Sequence, residues 1–438
     1  MAVQDRSKRC QVFFEERELL RALRGGTKTL RAGGEKWLPK EPGESKEGYQ
    51  RRLKRSVLSN FITRAIKNLG SKPFSKPVVL SSERQQDLAD EYLRAVDGRG
   101  TSLTALASRV FEDALWQGTS FIAVDAPVDG GRAYAYHLSG DSILGFKLDE
   151  DYQLTEIRIA EKATIPDGDF DEKEVGRVRI FRKNGERVTW DLWEESDSEY
   201  VLVLSDQPFA LSEIPVMPIH ASPVEGSDDL FAPPPLLDLA YLNLQHYQES
   251  SDQAHILHVA KVPVLFASGV AQDASIAIGS EYAIKADQGS TLQWVEISGA
   301  SINAGRQSII DLESRMSAYG AEMLQNLGAI ETATGRALRA GENNNQIAQI
   351  ATALAAGIER VMGWIGKFNK ISEPDFVATV NTDYGINVSN EEITALIQAR
   401  TLGDLSREDF LNEYKRRGIV RSEFNIEDNN DRLGMEMV

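Results

Sequence analysis

The histidines are the residues of this chain whose spacing comes nearest to a chemical site. His255 and His258 stand three residues apart on a predicted helix, and His246 lies nine residues before the first of them. Side chains three or four residues apart share one helix face, so two imidazoles in this arrangement could contribute ligands to a transition metal. No HExxH motif accompanies them, and paired histidines near a helix end are more often surface or packing residues. The sequence therefore predicts no metal site and no cofactor.

Motifs for nucleotide binding and covalent catalysis are missing from the sequence. Gly98-Arg99-Gly100 has Leu103 where a dinucleotide-binding fingerprint has its third glycine, and no predicted strand precedes it. The sequence contains neither a GxxxxGK motif followed by Ser or Thr nor a GxSxG motif. Cys10, the single cysteine, lies in no recognisable catalytic context. We therefore predict that the chain is not an enzyme and does not hydrolyse ATP.

The composition narrows the class of protein further. The 438 residues carry a formal net charge of −17, and 42% of them are hydrophobic. A chain of this length can form two or three domains with their own cores. Because contacts to phosphates need Lys and Arg, the negative charge argues against a free-standing nucleic-acid binder but allows a protein that encloses DNA without gripping it. A single cysteine fits a reducing compartment, and no apolar run predicts a membrane span or a signal peptide.

Three long helical patterns, at residues 235–258, 301–327 and 344–368, must position any functional residues. The second has an apolar seam that repeats every seven residues and is formed by Ile302, Ile309, Met316 and Met323. The third has a seam of the same kind, formed by Ile347, Ile350, Leu354, Val361, Trp364 and Phe368. Helices with one apolar seam must lie against other elements, from the same chain or from neighbouring copies. The pattern predicts an assembly.

Shorter elements fill the rest of the chain. Further helices are predicted at residues 12–23, 46–69, 83–96, 102–117, 391–401 and 407–417. Strands are predicted at residues 121–125, 134–137, 153–160, 177–182, 187–193, 200–204 and 375–381, and in a β-rich insert at 259–267, 276–285 and 291–297. Residues 25–43 are rich in Gly, Lys and Pro, which predicts a mobile or partner-ordered arm. The Asp and Glu residues of the strand region are interpreted as a solvated outer face.

Two polar stretches have both a structural and a functional interpretation. Residues 328–343 read as a surface connection between helices, but a loop of this length without its own structure is often functional. In a ring of packed helices this loop would project toward the axis and present Arg336, Arg339 and the Asn343–Asn345 run. The basic residues of the helix predicted at 46–69 could contact acidic neighbours or form a solvated face.

The order of these elements resembles that of the portal proteins of tailed bacteriophages. In that order an α/β half precedes a helix, a small β insert, a second helix, a loop, a long helix and a helical C-terminus. Several stretches also look like one branch of that family, namely Arg64-Ala65-Ile66-Lys67-Asn68, Phe74-Ser75-Lys76-Pro77, Pro234-Pro235-Leu236-Leu237-Asp238-Leu239, Ser250-Ser251-Asp252-Gln253-Ala254-His255 and Glu331-Thr332-Ala333-Thr334. The resemblance spans nearly the whole chain and is carried by the whole pattern.

The resemblance implies an α+β portal fold with named parts. It assigns the N-terminal arm and α/β wing to residues 1–234, the stem helices to 235–258 and 301–327, and the β-rich clip to 259–300. It assigns the tunnel loop to residues 328–343, a long wing helix and strand to 344–388, and the helical crown to 389–438. The implied DNA-facing residues of the tunnel loop are Glu331, Arg336, Arg339, Asn343, Asn344 and Asn345. The implied partner contacts of the clip are Lys261, Lys285 and Trp294.

The function that the resemblance implies is structural. Members of the family form a ring, a dodecamer in the virion, at one capsid vertex, and double-stranded DNA passes through it during packaging and ejection. The implied partners are the terminase large subunit, which supplies ATP hydrolysis, the head–tail adaptor, and the major capsid and scaffold proteins, with no membrane partner. The implied location is the virion, with the host cytoplasm during assembly. The alternative is another ring or adaptor protein of the virion, which would lack two paired helices flanking a β insert.

Overall fold

A computed structural model gives the fold of most of the chain. It describes residues 2–127, 131–197, 199–224, 226, 229–260, 264–268, 289, 291–295, 299–321, 333–382, 390–416, 419–420, 424–426, 428–430 and 432. The described elements form an α+β fold, as the sequence predicts, with helices at both ends of the chain and most strands in between. Among these residues no helix is long and apolar enough to cross a membrane.

The N-terminal segment is folded onto the rest of the protein. Helices α1 (Lys8–Glu16), α2 (Glu18–Arg24) and α3 (Gly26–Gly33) follow one another closely, and Leu30 and Leu38 are buried in the main core. The prediction of a mobile arm at residues 25–43 is therefore wrong. Its glycines stand at helix ends, where Gly26 and Gly34 have positive φ, and do not indicate a flexible linker.

The helix predicted at residues 46–69 is two helices, α4 (Lys46–Arg55) and α5 (Phe61–Ser71). Asn60 ends the extended link between them, and its side chain accepts a hydrogen bond from the Thr63 backbone N–H as the N-cap of α5. The apolar period continues across the link, which is why the break is hard to see in the sequence. The next two helices, α6 (Gln86–Arg94) and α7 (Leu103–Gln117), lie where they are predicted.

The strands form one short pair and two antiparallel sheets. Strand β1 (Val79–Ser81) pairs with β12 (Val377–Thr379). The three-stranded sheet has the order β3-β2-β9, from β2 (Thr119–Asp125), β3 (Tyr134–Ser139) and β9 (Val216–His220). The five-stranded sheet has the order β4-β5-β6-β7-β8, from β4 (Ile143–Leu148), β5 (Leu154–Asp167), β6 (Asp171–Asn184), β7 (Arg187–Ser196) and β8 (Glu199–Pro208). The predicted Asn184-Gly185 hairpin turn is confirmed, with Gly185 at φ +62°.

The long helices follow the sheets. Helices α8 (Leu237–Ala260) and α9 (Gly299–Ala321) flank the paired strands β10 (Val264–Ser268) and β11 (Thr291–Val295). Helix α10 (Ala333–Phe368) is followed by β12 and then by α11 (Asn390–Leu402) and α12 (Arg407–Arg416). The predicted strand at 276–285 lies outside the described residues.

The prediction of a structureless loop at 328–343 is wrong for residues 333–343, which are the first three turns of α10, and residues 328–332 lie outside the described part. Polar residues and two glycines gave this segment the composition of a loop. An isolated glycine inside a helix costs only about 1 kcal/mol, which the following turns of a long helix can offset.

Two large cores and one small cluster, formed by Leu144, Val178 and Ile180 of the five-stranded sheet, hold these elements together. The larger is built from α2–α10 and the three-stranded sheet, and it contains Trp116, Tyr247 and Leu354. The smaller lies between α1, the three-stranded sheet and one face of the five-stranded sheet, and it contains Phe121, Ile159 and Phe231. The long helices are thus anchored in the same core as the α/β half of the chain.

Candidate functional site

Helices α8 and α9 lie side by side and antiparallel. Three contacts at different heights join them: His246 Nε2 to Glu313 Oε1 at 3.0 Å, Ser308 Oγ donating to Glu249 Oε2 at 2.8 Å, and Gln253 Nε2 donating to the Ile302 carbonyl at 2.8 Å. Residue numbers rise along α8 as they fall along α9. The helices that bracket the β insert are therefore paired, and with 24 and 23 residues each is about 35 Å long.

The apolar seam of α9 is only partly filled within the chain. Met316 of the predicted seam and its neighbour Leu312 are fully buried, with Tyr247 of α8 in the same core, whereas Ile302 and Ile309 are half-buried. The opposite side of α8 packs on α2, α4 and α5. Around Leu312 and Met316 the chain itself supplies the cover, which is one of the two sources that the seven-residue spacing allows.

Helix α10 also finds its partners inside the chain. Its buried residues Leu354, Ile358 and Val361 face β2, β9 and α7. The approach is close at Gly357, because a Cβ atom there would collide with the Cδ1 atom of Ile219 on β9. This glycine lets the helix lie directly on the sheet.

The predicted DNA-facing residues lie mostly at the start of α10. Arg336, Arg339 and Asn343 are spaced by three and four residues, so the helical backbone puts them at register positions on one face, and Asn344 and Asn345 follow. Glu331 lies outside the described residues. The structure thus places this group on a helix, where the sequence predicted a loop.

Of the predicted partner contacts in the β insert, only Trp294 is described. It lies on β11 in register with Leu265 of β10, while Lys261 and Lys285 fall outside the described residues. Phe266 on β10 and Leu257 at the end of α8 are exposed apolar residues close to this hairpin in the chain. The end of the helix pair therefore carries apolar surface beside a short two-stranded sheet.

Two of the histidines, His246 and His220, have ordinary structural partners. His246 meets Glu313, and His220 Nδ1 lies 3.0 Å from Thr119 Oγ1. Burial lowers the pKa of His220, although the charge of Asp229 acts in the opposite direction. In the part of the chain that the structure describes, no three His, Cys, Asp or Glu side chains are grouped so as to hold a metal ion.

A buried polar cluster that the sequence did not reveal joins α7 to the three-stranded sheet. Asp113, 1% exposed, lies 3.1 Å from His137 Nε2 and accepts a hydrogen bond of 2.6 Å from Arg24. Ser120 Oγ lies 3.0 Å from the same His137 Nε2. A nucleophilic triad needs the carboxylate and the hydroxyl on opposite nitrogens of the imidazole, so this Ser-His-Asp set lacks the geometry of a nucleophilic site.

The charge on Asp113 is maintained by its neighbours. Burial alone would raise the pKa of this carboxyl, but the hydrogen bond and charge of His137, together with Arg24, outweigh it and lower the pKa. The cluster therefore keeps an ionised carboxylate inside the fold and ties α2, α7 and β3 together. Its only signal in the sequence is an acidic residue on the apolar face of a helix.

A second charged cluster ties α4 to α8. The guanidinium of Arg52, 4% exposed, donates to both carboxylate oxygens of Glu44 at 3.0 and 2.9 Å, to Asp252 at 3.1 Å and to the Pro39 carbonyl at 2.7 Å. The hydrogen bonds between Arg52 and Glu44 raise the pKa of Arg52 and lower the pKa of Glu44. Asp252 belongs to the Ser250–His255 stretch that carries part of the resemblance.

Comparisons with known proteins concern the same helices. Residues 235–369, which include α8, α9 and α10, match the family described as "Domain of unknown function (DUF4055)". This range is less than a third of the chain. No curated protein matches the sequence.

Similar folds are found among solved structures of particle necks and virions. A chain of the structure described as "Neck of empty GTA particle computed with C6 symmetry" has a TM-score of 0.47 and 12% identity, over 82% of this chain and 89% of that chain. A chain of "Virion of native gene transfer agent (GTA) particle" has a TM-score of 0.43 and 12% identity, over 81% and 88%. A chain of "Neck of native GTA particle computed with C12 symmetry" has a TM-score of 0.41 and 13% identity, over 80% and 88%. At these values neither fold nor function is argued from the likeness.

Proposed function

We propose that this chain is a portal-type protein, which forms a ring at one capsid vertex and serves as the channel for double-stranded DNA during packaging and ejection. The observation that carries the proposal is the antiparallel pair α8–α9, about 35 Å long, with a two-stranded hairpin at one end and an α/β body at the other. In this proposal the pair is the stem, the hairpin is the clip and the α/β body is the wing.

The charge of the chain fits a channel. A net charge of −17 per copy is multiplied in a ring, and an acidic lumen repels phosphate and gives DNA no deep binding minima. A duplex can slide through such a lumen, and a few basic residues suffice to position it. Arg336 and Arg339, on one face of the first turns of α10, are the residues we assign to this role.

The remaining parts of the proposal follow from the same assignment. The protein is non-enzymatic, and a separate terminase large subunit hydrolyses ATP and docks at the clip before the head–tail adaptor does. The ring in the virion is a dodecamer that contacts the major capsid and scaffold proteins, and it assembles in the host cytoplasm. The alternative function, another ring or adaptor protein of the virion, has no need of a long helix pair that flanks a β hairpin.

The first test is the shape of the purified protein. Negative-stain electron microscopy, with mass measurement by light scattering, is expected to show closed rings with a central hole. An enzyme would give compact monomers or dimers. A wild-type protein that stays monomeric at high concentration would overturn the proposal.

The second test concerns passage of DNA. The double substitution Arg336→Ala and Arg339→Ala is expected to leave rings intact and to reduce packaged or retained DNA in an assembly reaction. The matched control is Arg407→Ala, a basic residue at the start of α12. Unchanged packaging in the double variant would remove these two residues from the channel.

A further inference from the structure

Strands β5 and β6 extend beyond the rest of their sheet as a two-stranded ribbon. The two strands pair without interruption out to Asp167 and Asp171, whereas the last pair between β6 and β7 on that side is Arg177 with Glu194. Residues 163–174, called here the acidic ribbon, therefore have no further strand beside them. At about 3.3 Å per residue the ribbon projects roughly 15 Å from the sheet.

The tip of the acidic ribbon combines one aromatic ring with many carboxylates. Phe170 is fully exposed, although it is a large apolar side chain. Residues 166–174 contain five carboxylates against one lysine, namely Asp167, Asp169, Asp171, Glu172 and Glu174 against Lys173. A central aromatic surrounded by charged residues is the arrangement of a binding hot spot with a polar rim. The partner must offer an apolar recess with basic residues around it.

The chain itself carries such a recess elsewhere on its surface. A cleft of about 170 Å³, called here the basic cleft, lies between the end of α4 and α8 and is lined by Arg52, Arg55, Ser56, Val57, Ser250, Ser251, Ala254 and His255. A cavity of about 150 Å³ is large enough to bind benzene, so the basic cleft has room for one phenyl ring. The exposed side chain of Val57 and the methyl group of Ala254 give it apolar lining.

The charges around the basic cleft complement those of the acidic ribbon. Arg51, Lys54 and Arg55 are exposed on α4, and in the described part of the chain none of the three forms an ion pair. Two carboxylates beside the cleft, Glu44 and Asp252, are paired with Arg52. The end of α4 offers three exposed basic side chains next to the cleft, and an arginine beside the ring can add a cation–π contact.

We propose that Phe170 of one copy inserts into the basic cleft of the next copy, with the carboxylates of the acidic ribbon against Arg51, Lys54 and Arg55. This inference rests on the ring proposed above and names one contact that builds it. Among the described residues, no hydrogen bond or ion pair joins ribbon and cleft within a single chain. A projecting side chain and a cleft at different places on the same chain make a head-to-tail contact between copies. Such a contact generates a closed ring when a whole number of the rotations between neighbouring copies completes a full turn.

The sharpest test replaces Phe170 with a photo-reactive aromatic residue. Full-length protein with p-benzoylphenylalanine at position 170 is assembled into rings, irradiated and digested. We expect a cross-link between copies that ends in residues 51–57 or 250–255. The matched control carries the same residue at Tyr152, an exposed aromatic at the turn between β4 and β5, and is expected to give no cross-link to the cleft.

Reversing the charges on the acidic ribbon and on α4 tests the proposed contact between them independently of the cross-link. Asp169→Lys with Asp171→Lys, or Arg51→Glu with Arg55→Glu, is expected to lower the yield of rings at fixed concentration, and the two pairs combined are expected to restore it. Phe170→Ala is expected to weaken association between copies about thirtyfold, whereas Val201→Ala on the exposed edge strand β8 leaves it unchanged.

These experiments distinguish a failure of the proposed contact from a failure of the proposed ring. Rings in which position 170 cross-links only to another surface, or to another capsid protein, would overturn the contact and leave the proposed function standing. A wild-type chain that forms no rings would overturn both.

Discussion

At the scale of single residues, the buried charged side chains hold helices and strands in place. Asp113 and Arg52 are each almost fully buried, and each meets partners from distant parts of the chain. A buried charge is tolerated only when it is paired and hydrogen-bonded, and removing one partner is costly because it leaves the other uncompensated. These clusters fix how α2, α4, α7 and α8 are placed, so they support the helix pair without lining any channel.

Asp113→Asn is expected to lower the free energy of unfolding by about 2 kcal/mol, less than for a fully buried ion pair because Arg24 is partly exposed and can be solvated. The pKa of Asp113 is lowered in the fold. Its contribution to stability is therefore present above the unfolded pKa of about 3.9 and is lost as the pH falls through the folded value.

Urea denaturation at several pH values measures both effects. Wild type is expected to lose stability below pH ~4 more steeply than Asp113→Asn. Glu150→Gln, at an exposed acid in the turn after β4, serves as the control. Equal acid sensitivity of the Asp113→Asn variant and wild type would contradict a charged Asp113.

At the scale of elements, the seam of α10 and the C-terminal half of the seam of α9 are covered by the chain's own strands and helices. Leu312 of α9 is buried against the helical part, and Leu354 of α10 is buried beside the three-stranded sheet. The large apolar side chains that stay exposed include Phe170 of the acidic ribbon and Val201 of β8, and also Tyr241 of α8 and Ile310 of α9 on the helix pair. In the proposed ring, the helix pair takes part as a preformed unit.

Two glycines of α10 test this packing. Gly357→Ala is expected to destabilise the protein by about 1–2 kcal/mol, because the new methyl group collides with buried Ile219 and overpacking outweighs the gain in helix propensity. Gly363→Ala, on the same helix with open space around it, is expected to stabilise it by about 0.5–1 kcal/mol. Thermal unfolding by circular dichroism measures both, and equal shifts would contradict the close contact of α10 with β9.

At the scale of the whole molecule, the acidic charge of the chain is consistent with the proposed channel, which would guide DNA without binding it tightly. The 66 Asp and Glu outnumber the 49 Lys and Arg, and Arg52 is occupied by Glu44 and Asp252. Non-specific affinity for DNA depends on the number of phosphate contacts and falls steeply with salt. The same charge favours association through local complementary patches, such as the acidic ribbon and the basic cleft.

We therefore expect assembled rings to bind linear duplex DNA weakly, with a dissociation constant above about 100 µM at physiological salt, at or beyond the weak end of ordinary non-specific binding. Fluorescence anisotropy of a labelled duplex against purified rings measures this. A ring variant with Glu150→Gln, at an exposed acid away from the acidic ribbon, controls for surface charge that the ring contact does not use. Tight binding of duplex DNA by the wild-type ring would contradict a channel through which DNA slides without being held.

The sequence by itself determined the elements that repeat locally. The backbone hydrogen bonds of α8, α9 and the second part of α10 join residues four apart, so the apolar period within each segment was enough to place them. The same local signals placed β7, β8, most of the sheet-paired parts of β5 and β6, and the turn at Gly185. They missed β4 and β9, and they failed where composition imitated a loop, at residues 25–43 and 333–343.

Only the tertiary structure decided which elements meet. Asp252 meets Arg52 across 200 residues, and Asp113 meets His137 between a helix and a strand, because the path of the whole chain brings them together and no local spacing encodes that path. The structure also decided that Leu312, Met316 and Leu354 are buried within the chain and that Phe170 is exposed at the tip of the acidic ribbon. The period of the apolar residues indicates that one face of a helix must be covered, and only the packed structure shows which elements cover it.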